Sequence, residues 1–167
     1  MPKPATKAPD LEVPLISGGR FDLSKQTTET LVIFYRGLHC PACRKQLETL
    51  VGHLPAFAER GIDVVAVSMD EEARARQSAT EWAVAPTPLG YGMSESTARA
   101  WGLWISERVA EKEPPIFSEA ALTWVGADGT ILAHWQNSVP FGRPPLGELL
   151  SGIDFVRANN RPPRGAA

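Results

Sequence analysis

Cys40 and Cys43, separated only by Pro41 and Ala42, are the two cysteines of the chain. A thiol attacks or ligates only as the thiolate, so its surroundings decide whether it is reactive. Around this pair stand Arg36, His39, Arg44 and Lys45, and no acidic residue intervenes between Arg36 and Glu48. At this spacing two sulfurs can meet across one helical turn and close a disulfide. The chemistry on offer is a cycle between dithiol and disulfide. Structural zinc would need about four ligands, and the chain adds only the isolated His53 and His134, so no metal and no cofactor are expected. A chance pair of inert cysteines is disfavoured by the place the pair occupies in the chain.

That place is a junction. Leu31-Val32-Ile33-Phe34-Tyr35 is apolar without alternation, the pattern of a strand covered on both faces. A helix starts at Pro41, whose missing N–H costs nothing at the first helical position. Leu47, Leu50, Leu54 and Phe57 fall on the helix face of Cys43. Cys40 then sits at the N-cap, where free amide N–H groups and the helix dipole favour an anion. The same wheel makes Cys43 the inner sulfur and Cys40 the more exposed one. Pro55 predicts a kink or a split, Gly61 ends the helix, and residues 62–68 form the next strand. The resulting β-α-β unit implies parallel strands with a right-handed crossover.

The remaining elements follow the same logic. A hairpin is expected over residues 11–23, turning at Ser17-Gly18-Gly19-Arg20. A second helix is expected over residues 71–84, with Glu72 and Arg76 paired at i,i+4. Residues 89–91 make a short strand ending in the Gly90-Tyr91-Gly92 turn, and Ser94 caps a short helix that Gly102 stops. Residues 107–115, rich in charge and proline, read as a solvated loop. A hairpin turns at Gly126-Ala127-Asp128-Gly129, and the last helix, after Pro144-Pro145, carries Leu146, Leu149, Leu150, Ile153 and Val156 at helical spacing. The pattern is an α/β sandwich of one domain over residues 10–157, with a disordered lead-in over 1–9 and a flexible tail over 158–167.

Composition narrows the classes. The net charge is −2 and the cations are scattered, so no nucleic-acid partner is expected. No apolar stretch approaches bilayer length. The first nine residues carry positive charge with no apolar segment behind them, so they do not read as a secretory signal. A cytoplasmic location follows as the expectation.

The string from Phe34 to Leu47, Phe-Tyr-Arg-Gly-Leu-His-Cys-Pro-Ala-Cys-Arg-Lys-Gln-Leu, resembles the peroxiredoxin-like branch of the alkyl hydroperoxide reductase/thiol-specific antioxidant (AhpC/TSA) family. Phe117-Ser118-Glu119 and Pro140-Phe141-Gly142-Arg143-Pro144 extend the resemblance. It implies a thioredoxin-like three-layer sandwich with a central mixed sheet, the N-terminal hairpin being an extension. It also implies thiol oxidoreductase activity on a hydroperoxide or a disulfide. A thiol system such as thioredoxin or glutathione would be the reductant; a homodimer is an expectation from base rate alone. Two patterns of that superfamily overlap on these residues. The peroxiredoxin pattern P-x-x-x-T-x-x-C puts the attacking sulfur at Cys43, with Arg36 and Cys40 standing where Pro and Thr are usual. A thioredoxin-like dithiol would attack with Cys40. Ala120 occupies the place of the thioredoxin cis-proline or, nearby, the peroxiredoxin arginine. Arg36 is the leading substitute for that arginine and Arg143 the weaker one.

Cys40, Cys43 and Arg36 are thus the expected catalytic residues, and His39, Pro41 and Ala120 the expected substrate contacts. The departure at Ala120 keeps a second reading open, a non-catalytic thioredoxin-like module whose binding is switched by the redox state of the pair.

Overall fold

The apolar run after Glu29 becomes β3 (Glu29–Phe34), the central strand of a five-stranded sheet. The computed structural model describes residues 3–166. β4 (Ile62–Val67) lies parallel to β3 on one side, followed by the short parallel β5 (Leu89–Gly90). On the other side β8 (Ala121–Val125) and β9 (Ile131–Gln136) run antiparallel. The sheet order β5-β4-β3-β8-β9 is the mixed sheet the element pattern implies.

Both faces of β3 are covered, which is why its sequence does not alternate. Leu31, Ile33 and Tyr35 pack with Leu47, Leu50 and Phe57 of α1 (Pro41–Glu59) and with Leu149 and Ile153 of α4 (Leu146–Ala158). Ala79 of α2 (Glu72–Glu81) joins the same layer. Val32 and Phe34 face the opposite layer, where Val13 and Phe21 come from the hairpin β1 (Glu12–Pro14) and β2 (Arg20–Asp22). Ala98 of α3 (Glu95–Ala100) and Trp101 complete that side. Trp101 is fully buried, its ring 5.1 Å from that of Phe34 and its indole N–H donating to the Asp10 carbonyl at 3.2 Å.

Three features differ from the expectations. Pro55 neither splits α1 nor ends it; the helix runs from Pro41 to Glu59 with Pro55 on its exposed side, so the missing hydrogen bond falls towards water. Residues 108–115 are a loop as expected, but it closes a small hairpin that was not, β6 (Ile105–Glu107) with β7 (Ile116–Ser118). Each of these strands is three residues long, too short for a period to register. α2 stops at Glu81, and Ala83 just beyond it takes a left-handed φ of 53°.

Within the lead-in, the N–H of Ala5 donates to the Ile131 carbonyl at 2.8 Å and that of Ala8 to the Gly129 carbonyl at 2.9 Å, which ties this segment to the β8–β9 hairpin. Met1, Pro2 and Ala167 lie outside the described residues. No described helix is long and apolar enough to cross a membrane.

Trp101→Ala tests the second core layer. Removing a buried aromatic costs about 3–5 kcal/mol, to be read from denaturant unfolding of the full chain. A loss below about 1 kcal/mol would contradict the packing described.

Candidate active site

At the end of β3 the chain must reverse into α1, and one residue makes that possible. Gly37 takes a φ of 125°, open to glycine but strained for other residues. The turn is closed by Cys40 N–H donating to the Gly37 carbonyl at 3.1 Å, and Cys40 adopts the extended conformation of an N-cap. Its sulfur accepts the N–H of Cys43 at 3.2 Å, as a capping oxygen would. Pro41 occupies the first helical position and is exposed.

The two sulfurs are more alike in burial than the helical wheel implies. Cys40 is 1% exposed and Cys43 fully buried. Cys40 is the more exposed of the two only by that margin, and the side chain of Arg143 reaches both sulfurs. Its Nη2 lies 3.1 Å from the Cys43 sulfur and 3.9 Å from that of Cys40, while Nη1 donates to Gln46 Oε1 at 2.6 Å. A second donor reaches the Cys43 sulfur, the main-chain N–H of Arg36 at 3.4 Å.

These donors set the electrostatics. The Cys40 thiol is lowered to about 6, first by its hydrogen bond with the Cys43 thiol and then by the Cys43 N–H and the fields of Arg143 and Arg36, all acting against burial. Cys43 is pushed well up, chiefly by burial and then by the adjacent Cys40, with Arg143 opposing. Near neutral pH the pair therefore holds one proton and one negative charge between its two sulfurs.

Arg36 and Arg143 have exchanged the places expected of them. The Arg36 guanidinium turns from the sulfurs, pairing with Glu119 at 3.1 Å and Glu113 at 3.9 Å and lying 4.7 Å above the Phe117 ring. Those carboxylates are set by the β6–β7 hairpin, and Glu119 is nearly buried, its Oε1 accepting from Ser106 Oγ at 2.7 Å. Arg143 arrives from 100 residues beyond Cys43, on the loop that follows β9. Asn137 shapes that loop by donating to the carbonyls of Phe141 and Gly142.

The remaining expected contacts lie around this turn. His39 packs its ring edge-on against Phe117, with centroids 4.6 Å apart. Burial, then the charge of Arg36, lowers its pKa, so it is neutral at pH 7. Ala120 is buried just before β8, whose Ala121 pairs with Phe34 at the strand end that feeds the turn. His53 meets the Thr49 carbonyl on α1, and His134 meets Thr123 on the sheet face away from α1, its pKa lowered to about 4 by burial.

Gln46 and Phe117 entered the sequence analysis only within the segments that carry the resemblance, with no role given to them, and Asp70 did not enter it. Gln46 is a polar residue one turn after Cys43, and Asp70 an acid just past a parallel strand's C-terminal end, where sheets of this kind place their sites.

Comparison with known proteins identifies the family and the fold. The AhpC/TSA family model matches residues 4–132. No curated protein matches the chain by sequence at a significant level. Among solved structures, the peroxidoxin BcpB of Mycobacterium tuberculosis superposes with a TM-score of 0.74 at 16% identity, covering 94% of this chain and 99% of that one. A cysteine-to-serine mutant of PrxQ from Xylella fastidiosa gives 0.78 at 16% identity, covering 94% and 98%. The yeast mitochondrial 1-Cys peroxiredoxin, described by its thiol resolving mechanism via glutathione/thioredoxin systems, gives 0.79 at 10% identity, covering 96% and 79%. At such identities these structures speak for the fold, whereas the family match spans most of the sequence. The chain belongs to the AhpC/TSA family and is a peroxiredoxin-like thiol oxidoreductase.

Proposed function

We propose that the pair reduces a hydroperoxide, with Cys40 attacking and Cys43 resolving. The observation that carries this order is the place of Cys40 at the helix N-cap, where its sulfur accepts the Cys43 N–H at 3.2 Å; its thiol is lowered to about 6 there, while burial pushes the Cys43 thiol up. In the first step the Cys40 thiolate attacks the terminal peroxide oxygen, the O–O bond breaks, and the alkoxide leaves as the alcohol after taking a proton. Cys40 becomes a sulfenic acid, oxidised by two electrons. Its negative charge is then gone, and with it one of the forces holding the proton on Cys43. The Arg143 guanidinium and the Arg36 N–H, both on the Cys43 sulfur, now stabilise that sulfur as thiolate. Cys43 attacks the sulfenic sulfur, the hydroxyl leaves as water, and the Cys40–Cys43 disulfide closes.

A dithiol donor must return two electrons to reopen the bridge. A thioredoxin- or glutathione-type system in a reducing compartment such as the cytoplasm fits that need, and the named reductants of the yeast neighbour support it. His39, Pro41 and Ala120 line the approach in this reading, with His39 a neutral hydrogen-bonding group.

The opposite order, with Cys43 first, has one observation in its favour: two of the donors converge on Cys43. The variants separate the two. In Cys43→Ser, peroxide should leave a sulfenic acid trapped on Cys40, detected by dimedone labelling and mass spectrometry. If instead Cys40→Ser consumes peroxide at the wild-type rate and the label appears on Cys43, the order is reversed. If neither substitution slows peroxide consumption, the peroxidase reading fails.

Arg143 carries a separate expectation. With a first thiol near 6, about nine-tenths of the pair is ionised at pH 7. The iodoacetamide reaction rate should rise with pH through a midpoint near 6 and then level off. Arg143→Met removes a cation that favours the thiolate, so the midpoint moves up, by about one unit, and the rate at pH 6 falls. An unchanged midpoint would show that Arg143 does not stabilise the charge.

A further inference from the structure

Asp70 lies just beyond β4, outside the expected site, yet its carboxylate is fully buried against the turn that carries the cysteines. Oδ2 accepts the Leu38 N–H at 2.7 Å, and Oδ1 accepts from Arg74 Nε at 2.9 Å. A Cβ placed on Gly37 would stand 2.6 Å from Oδ2 and 2.8 Å from Oδ1. The carboxylate thus fills the space that a side chain at residue 37 would take. Its own backbone is held on both sides, the N–H by Ser68 Oγ at 3.3 Å and the carbonyl by Gly92 N–H at 2.8 Å. Arg74 comes from the first turn of α2, and its Nη2 also reaches the Lys112 carbonyl in the β6–β7 loop at 3.3 Å.

Such an arrangement is hard to explain as stabilisation alone. A buried ion pair gains little over an apolar packing of the same volume. What the carboxylate does here is local: it accepts the N–H of Leu38 in the Gly37–Leu38 turn. That turn determines two contacts of the dithiol. Arg36, on one side, aims its N–H at the Cys43 sulfur, and Cys40, on the other, enters its N-cap through the Gly37 carbonyl.

We infer that Asp70 is a positioning residue for the dithiol, clamping the Arg36–His39 turn so that the N–H of Arg36 and the helix N-terminus both address the sulfurs. The inference rests on the thiol chemistry proposed above but not on which cysteine attacks or on what is reduced. Asp70 touches neither sulfur and acts through the turn.

The test is the pH dependence of iodoacetamide labelling, read with thermal unfolding of the same full-length variants. In Asp70→Ala the midpoint should rise by about one unit, so that labelling below it slows about tenfold. Asp70→Asn keeps an acceptor for Leu38 N–H and should restore most of the wild-type profile. A folded Asp70→Ala with a wild-type profile overturns the inference, whatever its loss in melting temperature. An equal shift in Asp70→Asn also overturns it, because the lost charge rather than the clamp would be responsible. Should Asp70→Ala not fold, Gly37→Ala disturbs the same contact from the turn side; its midpoint should also rise, and an unmoved one counts against the clamp. A wild-type profile with no midpoint below that of an ordinary thiol is a different failure, since it removes the proposed function itself.

Discussion

Burial strips away the water that would solvate a thiolate, so the charge shared by Cys40 and Cys43 has to be met by donors that the fold brings to it. Each layer of the structure supplies one. The helix gives the N–H of Cys43, the strand-to-helix turn gives that of Arg36, and the loop between edge strand β9 and α4 gives the guanidinium of Arg143. The three come from different parts of the chain, and they converge only when β3, α1 and the loop after β9 are all in place.

The asymmetry within the pair has the same origin. Two sulfurs in contact cannot both ionise in a dry site, so the first proton leaves easily and the second is retained. A retained proton is useful, because the sulfur that holds it becomes the stronger partner once its neighbour has been oxidised. Arg36 adds a further layer without touching the sulfurs with its side chain. Engaged by Glu119 and Glu113, its guanidinium anchors the residue whose N–H does the work. The β6–β7 hairpin, seemingly remote, is what presents those carboxylates.

Much of this was legible in the sequence, for identifiable reasons. The five-residue apolar run, the N-cap position of Cys40 and the helical face of Cys43 depend on local spacing, and local spacing is what a sequence displays. The resemblance around Cys40-Pro41-Ala42-Cys43 added the family, which the match over residues 4–132 bears out. The choice between Arg36 and Arg143 was not local. Arg36 stands beside the cysteines in sequence, but its side chain is drawn to carboxylates beyond residue 112, while Arg143 is brought in by tertiary packing from 100 residues away. Asp70 was hidden in the same way, since a single acid after a strand looks like a surface residue until the Gly37 turn is laid against it.

The central claim is that this buried, donor-lined pair is a working redox couple, and mass spectrometry of the reduced chain after one equivalent of hydroperoxide tests it most directly. The expected result is the loss of two hydrogens, with a Cys40–Cys43 bridge found in the peptide map and reopened by a dithiol reductant. A chain whose two thiols both remain free to alkylation after that exposure would contradict the account.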